Sequence, residues 1–324
     1  MPEYKYSGPV DSSVSLNNTN LKGKTAIVTG GASGIGEGYV RALAAAGVYV
    51  CIGDLNEDRG LELEKELHRY FKSQKSSANT VWPSNRVKFV KVNVTIWEDQ
   101  LRLFQEAAKL SPTGRISYVV ANAGMIKSDS VYHVSGTDEP QKPDLQILEV
   151  NIIGAMYTTK LALHYFVKQN GTVESPDQDD TSLVLMGSGA SFLDGPRAPQ
   201  YQASKWAMRG LLHSLRRTAF FHGTRVNMIA PWYIRTSILS EETFNGVAKS
   251  GVQFALLEDA QSCLFRILSD TSINGRSLFI GARKWKAEGY WDLDIDDCHS
   301  NPAVEQIQQE QMWSEPVSKG LFPS

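Results

Sequence analysis

The sequence predicts an α/β protein, a single domain built on a doubly wound parallel sheet of about seven strands with helices on both faces. Three observations carry that prediction. Short apolar runs of strand length alternate with longer stretches of helical period along most of the chain. Those short runs show no polar alternation, as expected of strands buried on both faces of a parallel sheet. A glycine-rich turn, "TGGASGIGEG", stands at the first strand-to-helix junction.

The elements follow in order. Residues 1–21 are polar, rich in serine and asparagine, and are expected to be loose. "KTAIVT" (24–29) is the first strand; the helix after the glycine turn can end at Gly47. "VYVCIGD" (48–54) is the second strand, with Cys51 a small core residue, and 57–74 is a charged amphipathic helix. "SSANTVWPSNR" (76–86) is a loop, 87–94 the third strand and 97–110 a helix. "ISYVVANAG" (116–124) is a strand with a turn, followed by one long helix over about 144–168 and a polar insertion at 170–180. The fifth strand covers 182–188, a helix 199–221, the sixth strand 224–231, a helix 258–270 and the seventh strand 276–282.

No linker divides residues 22–283, which read as one catalytic domain. The extension 284–324 is polar and acidic but carries Trp285, Tyr290, Trp291 and Trp313, so part of it is expected to pack on the body or on a neighbouring subunit. Its densest run, "DLDIDD" (292–297), reads as a solvated surface segment.

A chain of 324 residues with 42% hydrophobic and 21% charged residues can bury a sizeable core. A net charge of −2 without a basic run argues against nucleic acid as a partner. Cys51, Cys263 and Cys298 have no metal-ligand or disulfide spacing, and His133, His164 and His213 fit no metal site, so no metal is expected. No signal peptide and no transmembrane run is visible, which reads as a cytoplasmic protein.

Two patterns carry chemistry. Gly30, Gly34 and Gly36 lie between a strand and a helix, where glycines allow a tight turn, close approach of backbone to a pyrophosphate and close helix–strand packing. The free N–H groups of Ser33, Gly34 and Ile35 would meet the phosphates at the helix N-terminus. Asp54 ends the next strand at the spacing where a carboxylate meets an adenosine ribose, which points to NAD rather than NADP. Tyr201 and Lys205, four residues apart on a helix, share a face, and a nearby ammonium favours a phenolate.

"TGGASGIG", "NAG" (122–124) and "YQASK" (201–205), in this order, resemble the signatures of the short-chain dehydrogenase/reductase family over residues 22–283. "TSIL" (236–239) and "SINGRSLFI" (272–280) resemble its hydroxyprostaglandin dehydrogenase branch. The resemblance implies a Rossmann-type domain that binds a nicotinamide cofactor and moves a hydride to or from a carbonyl carbon. It implies Ser188 as the serine that binds the substrate oxygen and Tyr201 as general acid/base. Lys205 would tune the tyrosine and hold the ribose, and Asn151 would position a water of a proton relay. It further implies cofactor contacts from Asn93, Val94, Asn122, Ala123, Gly124, Pro231 and Thr236, and a homodimer or homotetramer paired through its fourth and fifth helices. Trp232 stands where the family usually has glycine, and Asn93 where it commonly has aspartate.

Phe192, Leu193, Trp232, Tyr233 and Phe244 are candidates for an apolar pocket. They suit a hydrophobic secondary alcohol or ketone of polyketide, terpenoid, steroid or lipid type, as handled in secondary metabolism. Three readings stay open: an NAD-dependent dehydrogenase, a ketoreductase running in the opposite direction, and a non-redox isomerase or binding scaffold on the same fold.

Overall fold

Every residue of β1 (Thr25–Thr29), β4 (Tyr118–Ala121) and β5 (Thr181–Met186) is buried in the computed structural model, which describes residues 8–74, 85–131, 136, 138–297 and 301–314. β2 (Tyr49–Asp54) and β3 (Val87–Lys91) extend the sheet on one side of β1. β4, β5, β6 (Thr224–Pro231) and β7 (Ser277–Ile280) extend it on the other, all in parallel. The order is therefore β3-β2-β1-β4-β5-β6-β7 with the reversal between β1 and β4, and the crevice beyond the carboxyl ends of these strands is where such sheets bind ligands.

Side chains of the sheet alternate between two apolar layers. One packs α1 (Gly34–Ala45), α2 (Glu57–Gln74) and α8 (Leu257–Ser269) on the sheet; the other packs α3 (Trp97–Leu110), α5 (Ala155–Asn170) and α6 (Pro199–Leu215). Cys51 is fully buried in the second layer, and burial raises its thiol pKa, so it is inert packing. Among the described residues, no helix is long and apolar enough to cross a membrane and no group of three His, Cys, Asp or Glu could hold a metal ion.

The long helix read over 144–168 is broken. A short turn, α4 (Gln146–Leu148), runs into a π-helical turn (Glu149–Gly154) before α5 begins. Such single turns usually serve a side chain that must leave the helical register. Here that side chain is Asn151, whose Oδ1 accepts the Met125 N–H (2.8 Å) and whose Nδ2 donates to Met125 O (2.9 Å) and Ser204 Oγ (3.1 Å). The helix read to residue 221 ends at Leu215, and a separate 3₁₀ turn covers Ala219–His222. The segment after Thr236 contains α7 (Glu241–Lys249), whose first turn is capped by Ser240 Oγ accepting the Thr243 N–H at 3.2 Å.

An eighth strand joins the seven read from the sequence. β8 (Tyr290–Asp292) comes from the C-terminal extension and pairs antiparallel with β7; α9 (Pro302–Ser314) follows it. The acidic run 292–297 is not a solvated face. Arg276, on β7's threshold and 1% exposed, has Asp292, Asp294 and Asp297 at 2.7, 2.7 and 2.9 Å. Asp297 also meets Arg216 (3.0 Å), while Asp296 meets Arg209 (2.9 Å) and His213 (3.1 Å). Burial works to raise the Asp296 pKa, but hydrogen bonds from His213, Ser277 and Arg209 together hold it at about 2. The physical reason for the correction is that a buried guanidinium requires opposite charge, and these arginines lie far from the run in sequence. Val10 N–H donates to Asp292 at 3.0 Å and Leu21 is fully buried, so the N-terminal stretch is tied down from Val10 onward. Residues 1–7, most of the 76–86 loop, His133, Cys298 and the Trp313 side chain lie outside the described residues.

Candidate active site

The glycine turn is held by contacts that only glycines permit. Gly30 has φ +63°, and a Cβ there would stand 2.8 Å from Ala123 Cα. A Cβ on Gly36 would stand 2.1 Å from Gly30 O, so the first turn of α1 presses directly on the end of β1. Ser33, at the N-cap of α1, is exposed and its side chain caps nothing, which leaves the helix N-terminus to an anion. Gly34 faces Thr236, whose Cβ is 3.2 Å from the position a Gly34 Cβ would take, so the loop after β6 folds over the turn. A groove of about 610 Å³ opens beside it, lined among others by Ser33, Gly34, Asn56, Arg59, Thr236 and Gln261. An uncapped helix N-terminus, a turn cleared of side chains and an adjoining groove fit a dinucleotide. Ile35 stands partly buried against the core.

Asp54 reaches back to this turn. Its Oδ2 accepts the Ala32 N–H and its Oδ1 the Asn56 N–H, both at 2.9 Å. The carboxylate is thus fixed between the glycine turn and Asn56, a residue that lines the groove. In that groove Arg59 and Arg41 are tied to Glu37, Glu62 and Glu66. Asn93 is occupied locally: its Oδ1 accepts from Thr95 N (3.1 Å) and Oγ1 (2.9 Å). Val94 packs on Gly154, where a Cβ would stand 2.8 Å from its Cγ2.

At the end of β4, the Asn122 amide donates to Thr29 O (2.9 Å) and Gly30 O (3.1 Å), and Thr29 Oγ1 accepts the N–H groups of Asn122 and Ala123 at 3.1 Å each. Nearby, at Gly124, the chain passes between Lys205 and Asn151: a Cβ there would be 3.6 Å from Lys205 Nζ and 3.4 Å from Asn151 Oδ1, ordinary contact distances. Three separate elements therefore meet at one point.

Ser188 stands two residues beyond β5, at the N-cap of a 3₁₀ turn, with its Oγ accepting the Ala190 N–H at 3.2 Å and sharing a hydrogen bond with the Tyr201 phenol. Tyr201 and Lys205 project from α6, as their spacing predicts, with Lys205 Nζ 5.6 Å from the phenol ring centre. Burial raises the Tyr201 pKa, the Ser188 hydrogen bond works against that rise, and Tyr233 adds to it. Burial lowers the Lys205 pKa to about 8, with Nζ donating to Met186 O at 3.1 Å. Burial thus disfavours the charged form of each group, moving the phenol away from neutral pH and the ammonium toward it.

Around this point the apolar candidates separate. Trp232 continues β6 through its N–H to Ile280 O (2.8 Å), and its ring would touch a Cβ on Gly189 at 3.0 Å. Tyr233 stacks edge-on to Trp232 at 4.9 Å, and Phe192 lies under the Arg209 guanidinium at 4.6 Å. Leu193 is half exposed, while Phe244 is 1% exposed and packs on Phe254 (5.6 Å), inside the segment after β6 rather than at its surface. Trp285 of the extension, expected to pack on the body, meets Trp232 edge to face at 6.5 Å. Residues absent from the sequence reading also converge here: Ser191, Met125 and Ser204 hold the catalytic candidates, and Asp129 caps α6 by accepting the Gln200 N–H at 2.7 Å. Of these, only the Ser188–Ser191 spacing of a capping box was a readable signal.

The family model described as short chain dehydrogenase matches residues 24–245. A 5′-hydroxyaverantin dehydrogenase of Dothistroma septosporum is 32% identical over 310 residues, covering 90% of this chain and 94% of that protein. The NADP-dependent dehydrogenase M3 of a Phoma species is 31% identical over 293 residues, covering 87% of this chain and 81% of its own length. The crystal structure of gox2181 superposes with a TM-score of 0.62 at 24% identity, over 79% of this chain and 93% of that one, a likeness of fold.

Proposed function

The chain belongs to the short-chain dehydrogenase family, and from that premise we propose that it is an NAD-dependent oxidoreductase that converts a hydrophobic secondary alcohol to its ketone. The observation that carries this reading is the meeting of Ser188, Tyr201 and Lys205 beside the glycine turn. A bound nicotinamide dinucleotide supplies the hydride acceptor. Gly30, Ser33, Gly34, Ile35 and Gly36 would hold its phosphates and Asp54 its adenosine ribose. Asn93 and Val94 would lie toward the adenine, and Asn122, Ala123, Gly124, Pro231 and Thr236 would lie toward the nicotinamide.

Ser188 donates a hydrogen bond to the alcohol oxygen and fixes it next to Tyr201. The tyrosine oxygen takes the hydroxyl proton as the carbon–hydrogen bond breaks, so a proton and a hydride leave together and a carbonyl remains. Lys205 keeps a positive charge beside the phenol below about pH 8 and so favours its deprotonated form. Asn151, held by Met125, stands next to the lysine to pass the proton outward through water. Phe192, Trp232 and Tyr233 give the substrate an apolar bed. Exposed Ile153 and Met156 before and on α5 and Trp206 on α6 favour a homo-oligomer built on those helices.

Incubation with either nicotinamide dinucleotide and a panel of hydrophobic secondary alcohols, followed at the reduced-cofactor absorbance band, tests the reading. The reverse assay with the matching ketones separates oxidation from reduction. An absence of turnover in both directions would leave the scaffold or isomerase reading.

Asp54 supports NAD, since a ribose 2′-phosphate would face its carboxylate while the neighbouring arginines are already paired with glutamates. The NADP-dependent relative from Phoma favours the other cofactor as a second reading. In wild-type protein kcat/KM is expected to be clearly higher with NAD, and Asp54→Ala is expected to narrow the gap about tenfold or more, the loss of one charge-assisted contact. Equal use of NADP by the wild type would remove NAD from the proposal.

A further inference from the structure

The fully buried hydroxyl of Ser191 joins the turn that carries Ser188 to the helix that carries Tyr201 and Lys205. Ser191 is 0% exposed and lies one 3₁₀ turn beyond Ser188. Its Oγ accepts the Ser188 N–H at 3.1 Å and donates to the Lys205 carbonyl oxygen at 2.8 Å. The same lysine is held at its other end by Met186 O, 3.1 Å from Nζ. Lys205 is thus gripped at its backbone and at its ammonium by the single turn 186–191 that carries the catalytic serine.

The surrounding residues are shaped around this hydroxyl. A Cβ on Gly187 would lie 2.9 Å from Ser191 Oγ and 2.8 Å from Met228 Sδ, so glycine there makes room for it. The Lys205 carbonyl belongs to the interior of α6, where helical bonding needs no side-chain donor. The extra bond therefore ties α6 to the end of β5 rather than completing the helix.

We propose that Ser191 is a positioning residue that sets the separation between Ser188 and the Tyr201–Lys205 face of α6. This rests on the reading of Ser188, Tyr201 and Lys205 as the reacting set. Catalysis by oriented groups is steep in distance, and a displacement of about 1 Å can cost a hundredfold. Ser188 meets the substrate oxygen and Tyr201 at once, so a small drift of the turn relative to α6 weakens both contacts. Among the described residues, the groups facing the Tyr201 phenol are Ser188, Lys205 and Tyr233, and of these Ser188 and Lys205 are attached to Ser191.

The test compares wild type, Ser191→Ala, Ser191→Cys and Tyr201→Phe. Without substrate, tyrosine labelled with ¹³C at Cζ reports the Tyr201 titration, assigned by the signal missing in Tyr201→Phe. Ser191→Ala is expected to raise the Tyr201 pKa by half a unit or more, because the Ser188 hydrogen bond that opposes its rise is lost. With NAD and the alcohol that the wild type turns over fastest in the panel, kcat is expected to fall about tenfold to a hundredfold with KM little changed. Ser191→Cys keeps the volume with a weaker donor and should fall between the two. It decides the matter if the alanine variant does not fold. A folded Ser191 variant with wild-type titration of Tyr201 and wild-type kcat overturns the proposal while Tyr201→Phe remains inactive. Wild-type turnover by Tyr201→Phe would instead overturn the reacting set, and the proposal with it.

Discussion

Tyr201→Phe is expected to lower turnover by about 10²–10⁴-fold while cofactor affinity stays nearly constant. The phenol oxygen is the group that takes the substrate proton, and the phenylalanine ring preserves the packing. Among the described residues, the hydrogen bond to Ser188 is the one lost, at a cost of about 1 kcal/mol. Steady-state kinetics with the panel alcohol, beside fluorescence titration of the reduced cofactor, would separate the two parameters. A phenylalanine variant that turns over at the wild-type rate excludes Tyr201 as the general base.

Lys205→Met is expected to abolish most turnover and, at neutral pH, to raise stability. Burial lowers the Lys205 pKa from 10.5 to about 8, so the folded protein resists the ammonium that the unfolded chain carries freely. Below pH 8 that penalty is present in full, on the order of 2 kcal/mol after allowing for the lost hydrogen bond to Met186 O. Between about pH 8 and 10.5 the unfolded chain binds the extra proton and the native state does not, so wild-type stability rises with pH there. The methionine variant carries no such term. Its Tm should exceed that of the wild type by a few degrees at pH 7, and the difference should shrink as the pH approaches 10. Thermal denaturation at both pH values checks this; a variant less stable than wild type at pH 7 contradicts a buried lysine held at a cost for function.

The features legible in the sequence were those set by local pattern. The short apolar runs read as strands over 24–29, 116–124 and 182–188 contain β1 and β4 and most of β5, and the structure buries every residue of these strands. The pair Tyr201 and Lys205 was legible because helical spacing alone puts them on one face. What escaped depends on partners distant in the chain. The π-helical turn around Asn151 exists because of Met125 and Ser204, neither marked by any local signal. β8 is only three residues long and lies in an acidic stretch. The role of that stretch follows from Arg209, Arg216 and Arg276, which no window around it contains. Phe244 was read by its hydrophobicity, and hydrophobicity does not tell whether a ring lines a pocket or sits beneath it; here it is enclosed.

The carboxylates around Arg276 also bear on the order in which the chain is completed on the ribosome. β7 is synthesised before the residues that neutralise the guanidinium at its threshold, because Asp292, Asp294 and Asp297 all follow it. A nascent chain long enough to form the glycine turn and the Tyr201 helix lacks these three carboxylates and the strand that pairs with β7. β8 can pair with β7 only once residues 290–292 have been made, so this edge of the sheet closes after the candidate site's main elements have been synthesised. A chain stopped at residue 289 is expected to remain protease-sensitive from β7 onward while its first five strands resist digestion. Digestion kinetics of the full and the shortened chain, read by mass spectrometry, would reveal that difference. A premature stop near the end of the message would thus leave an enzyme with its chemistry spelled out and its last seam unsewn.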